Sequence, residues 1–157
     1  MVGISVNSNI EKANQIIKKY NPKYIYISDK SAKRNILEIE NSIIFEDNKE
    51  LYNIFNSSDV DIIISAISGF AGIKSTFQAA KSGKKVLIAN KESIVAGGSL
   101  LMKMIRENNT ELVPIDSEHN AIFQCLPESK STEEVKQIVI TASGGPFHGK
   151  NIDELNN

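Results

Sequence analysis

Tryptophan is absent from the 157 residues, and cysteine occurs once, at Cys125. A single thiol cannot close an internal disulfide, so no cystine framework holds the chain together, and this usage fits a reducing compartment. Charge of one sign is lacking as well. Eighteen Lys+Arg stand against nineteen Asp+Glu, a formal net charge of −1, without long blocks of like charge. That balance argues against a bulk nucleic-acid or acidic-membrane binder and leaves room only for a local anion pocket. No apolar run approaches the roughly 18 residues of a membrane span. The first residues show no basic region followed by an apolar one, so no secretory signal is legible there. What is present is 41% hydrophobic residues and nine glycines, enough for the core of one domain, or of one and part of another.

The hydrophobic pattern alternates short β-rich runs with helix-period stretches. Strands are predicted at Val2–Val6, Tyr24–Ser28, Ser42–Phe45, Asp61–Ala66, Lys84–Ala89, Leu112–Ile115 and Val135–Thr141. Of these, Asp61–Ala66 reads as a continuous apolar run of the kind buried on both faces. Helices are predicted from about Asn9 to Tyr20, around Ser31–Glu38, at Lys49–Phe55, along the Ile73–Phe77–Ala80 stripe, at Glu92–Glu107 with softening at Gly97-Gly98, at Glu118–Cys125, and from Asn151 onward. Cys125, Phe70 and Phe77 read as core. This rhythm predicts an α/β fold with a mostly parallel sheet and helices on both faces. The chain begins in a strand and ends inside a new element, so it reads as a segment of a longer protein.

Ligands of open parallel sheets bind beyond the carboxyl ends of the strands. At those ends stand Asn7-Ser8-Asn9, Ile67-Ser68-Gly69-Phe70-Ala71-Gly72, Asn90-Lys91-Glu92-Ser93, Asp116-Ser117-Glu118-His119-Asn120 and Ala142-Ser143-Gly144-Gly145-Pro146. Each admits two readings. Asp116 and Glu118 suit a hard divalent cation, which takes one or two carboxylates plus waters and substrate oxygens; equally, they suit a helix cap and its first turn. Ser143-Gly144-Gly145 suits a phosphate nest or a tight loop. Lys91 suits a phosphate or a polarised carbonyl, or an ordinary pair with Glu92. Asn7, Ser8 and Asn9 suit an anion at a helix N-terminus, or an N-cap alone.

Three of these segments carry a resemblance. Ala89-Asn90-Lys91-Glu92-Ser93, Val113–Gln124 and Ser143-Gly144-Gly145-Pro146-Phe147 closely resemble the 1-deoxy-D-xylulose-5-phosphate reductoisomerase family, in order and with compatible spacing over nearly the whole chain. The resemblance implies a Rossmann-like NADPH-binding domain over residues 1–114, without its first strand and Gly-rich loop, and the start of an α/β catalytic domain over 115–157. It implies NADPH and Mg²⁺ or Mn²⁺ (Co²⁺ also serves the family) as cofactors, a phosphorylated sugar as substrate, and a homodimer. By motif, Asp116 and Glu118 match two of three metal carboxylates and, with Lys91, the catalytic set. Lys91, Ser117, Glu118 and Ser143 match substrate contacts. Asn7, Ser8, Asn9, Ala66, Ile67, Ser68, Asn90 and Glu92 match cofactor contacts.

One departure is that Asn7-Ser8-Asn9 replaces the family's common Gly-Lys-Asn, so the loop that receives the adenosine 2′-phosphate has no cation. The third metal carboxylate, the active-site flap and the C-terminal helical domain would follow Asn157, so the segment alone is expected to be inactive. The expected location is the cytoplasm, or a plastid-type organelle if a targeting peptide precedes the segment. Two other readings compete. One is a divergent NAD(P)-dependent oxidoreductase, such as a semialdehyde or homoserine dehydrogenase relative, which would need no metal. The other is a non-catalytic nucleotide-binding or assembly module.

Overall fold

Alternation along β2 (Tyr24–Ile27) organises the first half of the chain: Ile25 and Ile27 are buried on one face, Tyr26 on the other. A computed structural model describes residues 1–127, 132–140, 144–145 and 147–155. Its contacts divide into two units, Met1–Ile115 and Asp116–Asn157.

In the first unit, β1 (Gly3–Val6), β2 and β3 (Ile43–Phe45) form a parallel sheet in that order. Val6 lies beside Ile27, and Tyr26 beside Phe45. Helix α1 (Ile10–Tyr20) joins β1 to β2 and buries Ala13 and Ile17 against Ile25 and Ile27. Its stripe follows the 3.6-residue period, Asn9 caps it by accepting from the Lys12 N–H at 3.2 Å, and left-handed Asn21 ends it. A 3₁₀ turn at Lys30–Asn35 replaces most of the expected Ser31–Glu38 helix. Asp29 accepts from both the Ser31 N–H (2.9 Å) and its hydroxyl (2.6 Å), a local geometry that competes with a regular helix.

The opposite face of this sheet packs on α2 (Asn48–Phe55): Tyr26, Phe45 and Leu51 form one cluster with Ile54 and Phe55 against it. Ile54 and Phe55 also reach the cluster of Val60, Ile63, Ala79 and Val86. Helix α2 therefore ties the first sheet to a second parallel one, β4 (Ile62–Ser65), β5 (Lys85–Ile88) and β6 (Glu111–Pro114). Helices α3 (Ile73–Ala80) and α4 (Lys91–Glu107) pack together over it through Phe77, Ala80, Leu101 and Ile105. The expected parallel α/β architecture with helices on both faces is present around the first sheet, with α1 on one side and α2 on the other, as a Rossmann-like arrangement.

Two expectations are corrected here. Strand β4 is covered on one face only: Ile63 and Ser65 are buried, whereas Ile62 and Ile64 are 53% and 65% exposed, because α3 lies on one side. Phe70 is 76% exposed, since it opens a short 3₁₀ turn (Phe70–Gly72) ahead of the packed stripe. The expected softening at Gly97-Gly98 is present as a kink in α4: at Gly98 the backbone leaves the helical region (φ 43, ψ −127). Only glycine tolerates such a geometry cheaply.

The second unit holds α5 (Ser117–Cys125) and α6 (Ile152–Leu155). Asn151 and Glu154 cap α6 reciprocally at 2.8 and 3.0 Å. No residue of α5 is buried, and Cys125 is exposed rather than core. Residues 135–140 form no strand, and Ile138, Val139 and Ile140 are exposed. A strand needs a hydrogen-bonded neighbour, and none pairs with this segment among the described residues. Among the described residues no helix is long and apolar enough to cross a membrane.

Candidate functional site

The carboxyl ends of β4 and β5 are joined by one buried polar frame. Asn90, directly after β5 and 2% exposed, lies at its centre. Its amide nitrogen faces the carbonyl oxygens of Ile67 (2.7 Å) and Gly69 (3.0 Å) and the Glu92 carboxylate (3.1 Å). Its side-chain oxygen caps α4 by accepting from the Ser93 N–H at 2.8 Å, and it also accepts from the Ser93 hydroxyl. Glu92 closes the ring by accepting from the Gly69 N–H at 3.1 Å. Beneath lie three buried hydroxyls: Thr76 donates to the Gly72 carbonyl at 2.7 Å, and its oxygen lies 3.0 Å from the Ser93 hydroxyl and accepts from the Ser65 hydroxyl at 2.6 Å.

That frame sets the shape of the edge. A Cβ on Gly72 would stand 2.4 Å from the Ile67 oxygen and 3.0 Å from the Asn90 amide, so only glycine allows the close approach. Ala66, Ile67 and Ser68 are held above the frame with their side chains exposed to solvent. Lys91 is exposed at the first position of α4. The structure thus brings Ala66–Ser68, Asn90 and Glu92 together. It also spends the Asn90 side chain on protein partners, and the Asn90 N–H donates to the Ser65 carbonyl at 3.2 Å. Ser65, Thr76 and Ser93 were not legible as site-supporting residues, because hydroxyls inside apolar stripes carry no sequence signature.

Asn7, Ser8 and Asn9 follow β1, exposed, at the same edge of the first sheet. Asn7 accepts from the Ser28 hydroxyl at 2.8 Å, and the Ser28 N–H donates to the Val6 carbonyl at 3.0 Å, locking the ends of β1 and β2 together. Asn9 is the N-cap of α1.

In the second unit, Asp116 caps α5, accepting from the His119 N–H at 3.2 Å, and its other oxygen lies 2.9 Å from the His119 ring nitrogen. The Ser117 hydroxyl donates to Glu118 at 3.2 Å. Two carboxylates and a hydroxyl therefore share one helix start, a donor set that fits Mg²⁺ or Mn²⁺ as partial ligands. Among the described residues no group of three metal-ligating side chains converges. Ser143 and Ala142 lie outside the described residues.

Two family models cover the chain: 1-deoxy-D-xylulose 5-phosphate reductoisomerase over residues 1–98, and the C-terminal domain of that enzyme over 112–157. The reductoisomerase of Francisella tularensis subsp. novicida is 43% identical over 151 residues, covering 94% of this chain and 39% of that protein. The reductoisomerase from Zymomonas mobilis, solved with NADPH, superposes with a TM-score of 0.83 at 37% identity, over 98% of this chain and 41% of that one. A reductoisomerase solved with NADPH, fosmidomycin and magnesium gives 0.69 at 34% identity, over 82% and 32%. The chain spans about two fifths of the length of the curated relatives it matches. With both models matched in order and the fold shared at this identity, the chain belongs to the 1-deoxy-D-xylulose 5-phosphate reductoisomerase family.

Proposed function

We propose that the protein carrying these residues converts 1-deoxy-D-xylulose 5-phosphate to 2-C-methyl-D-erythritol 4-phosphate, using NADPH and a divalent cation, in non-mevalonate isoprenoid biosynthesis. The observation that carries this reading is the polar frame at Asn90, which presents Ala66–Ser68 and Lys91 on one edge of a parallel sheet, where such folds bind nucleotides. Relatives solved with NADPH and with magnesium support it.

Each residue has a task. Ala66, Ile67 and Ser68 flank the cofactor, Asn90 and Glu92 border it and hold the loop that carries those residues, and Asn7–Asn9 receive its adenosine end. Lys91 offers a compact positive charge to the substrate oxygens. Asp116 and Glu118 hold the cation, which supplies Lewis acidity and a template for the rearranging ketone and hydroxyl, while NADPH supplies the hydride. Ser117 and Ser143 bind the substrate, the latter at its phosphate.

The 157 residues alone turn over little or no substrate, because Asp116 and Glu118 by themselves leave most of the oxygen ligands of a hard cation to other groups. The complete protein acts as a homodimer in the cytoplasm, a reading supported by the family resemblance and by the single cysteine of these 157 residues. Manganese serves as well as magnesium, since both are hard cations with oxygen ligands. The test is NADPH oxidation by the complete gene product. Turnover should require both the sugar phosphate and a divalent cation and disappear with EDTA; oxidation that survives chelation would point instead to a plain dehydrogenase.

A further inference from the structure

The loop after β1 contains no cation, although a phosphate there would want one. Asn7, Ser8 and Asn9 offer amides and a hydroxyl only. The strand ends are, however, locked together. Val6 pairs with Ile27, the Ser28 N–H donates to the Val6 carbonyl (3.0 Å), and the Ser28 hydroxyl donates to Asn7 (2.8 Å). Two residues beyond Ser28 stands Lys30, the first residue of the 3₁₀ turn. Neighbouring strands lie about 4.8 Å apart, so the turn after β2 starts beside the β1 loop; the Lys30 side chain is turned toward Glu46, beyond β3, and swings from there to reach a phosphate on the β1 loop.

The local charges favour Lys30 over its neighbours. Asp29, the adjacent acid, is spent on the Ser31 N–H and hydroxyl. Lys33 is paired with Glu46 at 2.9 Å, whereas Lys30 meets the same carboxylate only at 4.0 Å and its side chain is 81% exposed. Glu46 is therefore already neutralised by another lysine, and Lys30 can leave it at small cost, since exposed pairs are weak. Lys12 lies in the first turn of α1, next to Glu11 in sequence, and is the control for the test below.

We propose that Lys30 supplies the positive charge for the adenosine 2′-phosphate of NADPH that Asn7–Asn9 lack, and so sets the preference for NADPH over NADH. This rests on the NADPH reading above. A lysine on the neighbouring strand end does the work that the family's loop lysine does in place, and the phosphate is held between two strands.

The test is equilibrium binding of NADPH and NADH, followed by nucleotide fluorescence, to the complete gene product and its Lys30→Gln variant, with adenosine 2′,5′-bisphosphate as a competitor. Lys30→Gln should weaken NADPH and the bisphosphate by about tenfold, the scale of a lost charge-assisted hydrogen bond, and leave NADH unchanged. Placing lysine in the loop instead, Ser8→Lys in the Lys30→Gln background, should restore the preference. An unchanged NADPH-to-NADH ratio in Lys30→Gln would overturn the inference and leave the enzyme reading standing, as would a loss seen with Lys12→Gln alone. A wild-type protein that binds NADPH and NADH equally would overturn it too. If the wild type binds neither nucleotide, the NADPH reading itself fails and takes this inference with it.

Discussion

Removing the Asn90 side chain should be among the most damaging single changes in the first unit. Asn90→Ala strips the cap acceptor from α4, a loss of about 0.5–2 kcal/mol. It also leaves the part-buried carbonyls of Ile67 and Gly69 without their side-chain donor, at up to about 1–3 kcal/mol for each group that water does not reach. Allowing for relaxation and water entry, about 3–5 kcal/mol is expected, at the upper end for point substitutions. Asn90→Asp separates the two roles. It keeps the cap oxygen facing Ser93 but turns an acceptor toward two carbonyls and the Glu92 carboxylate. Those neighbours raise the folded-state pKa of an aspartate at that position above its unfolded value. Its folded state then binds more protons, and the deficit is least below about pH 4 and grows as pH rises toward neutrality. Urea denaturation of each variant across pH 3.5–8 reads both effects (a choice of roughly the range where a carboxylate of raised pKa titrates). Stability within 1 kcal/mol of wild type for Asn90→Ala, or a pH-independent deficit for Asn90→Asp, would refute the clamp (a threshold of about the uncertainty in such extrapolations).

Other consequences follow from single contacts. A Cβ on Gly97 would lie 2.8 Å from the Phe77 ring, so Gly97→Ala should force α3 and α4 apart and cost about 1–3 kcal/mol by denaturant titration. Asp116→Asn retains a good helix cap. It should therefore leave stability within about 0.5 kcal/mol while abolishing metal-dependent turnover in the complete protein; loss of stability with activity intact would assign Asp116 to capping alone. The Lys33 ammonium beside Glu46 holds that carboxyl below the usual range. Its contribution is present above the ordinary glutamate pKa and lost as pH falls through the lower folded value, so Lys33→Gln should flatten the acid limb of the stability profile.

Much of this molecule is legible in the residues taken in order. The βα rhythm, the α1 stripe of Ala13 and Ile17, and the caps at Asn9 and Asp116 are local consequences of side-chain period and of oxygen placement at helix starts. The ends of the strands, and hence the candidate site, follow from the same rhythm. Tertiary structure decided what periodicity cannot carry. Whether β4 is covered on one face or two depends on which helices return to it, and Ile62 and Ile64 are exposed because α3 and α4 share one side. Whether residues 135–140 form a strand depends on a hydrogen-bonding neighbour, not on their own Val and Ile content. Asn90 reads in sequence as a ligand contact; only the fold, by bringing Ile67 and Gly69 to its amide across 23 and 21 residues, turns its side chain into the clamp beneath the site.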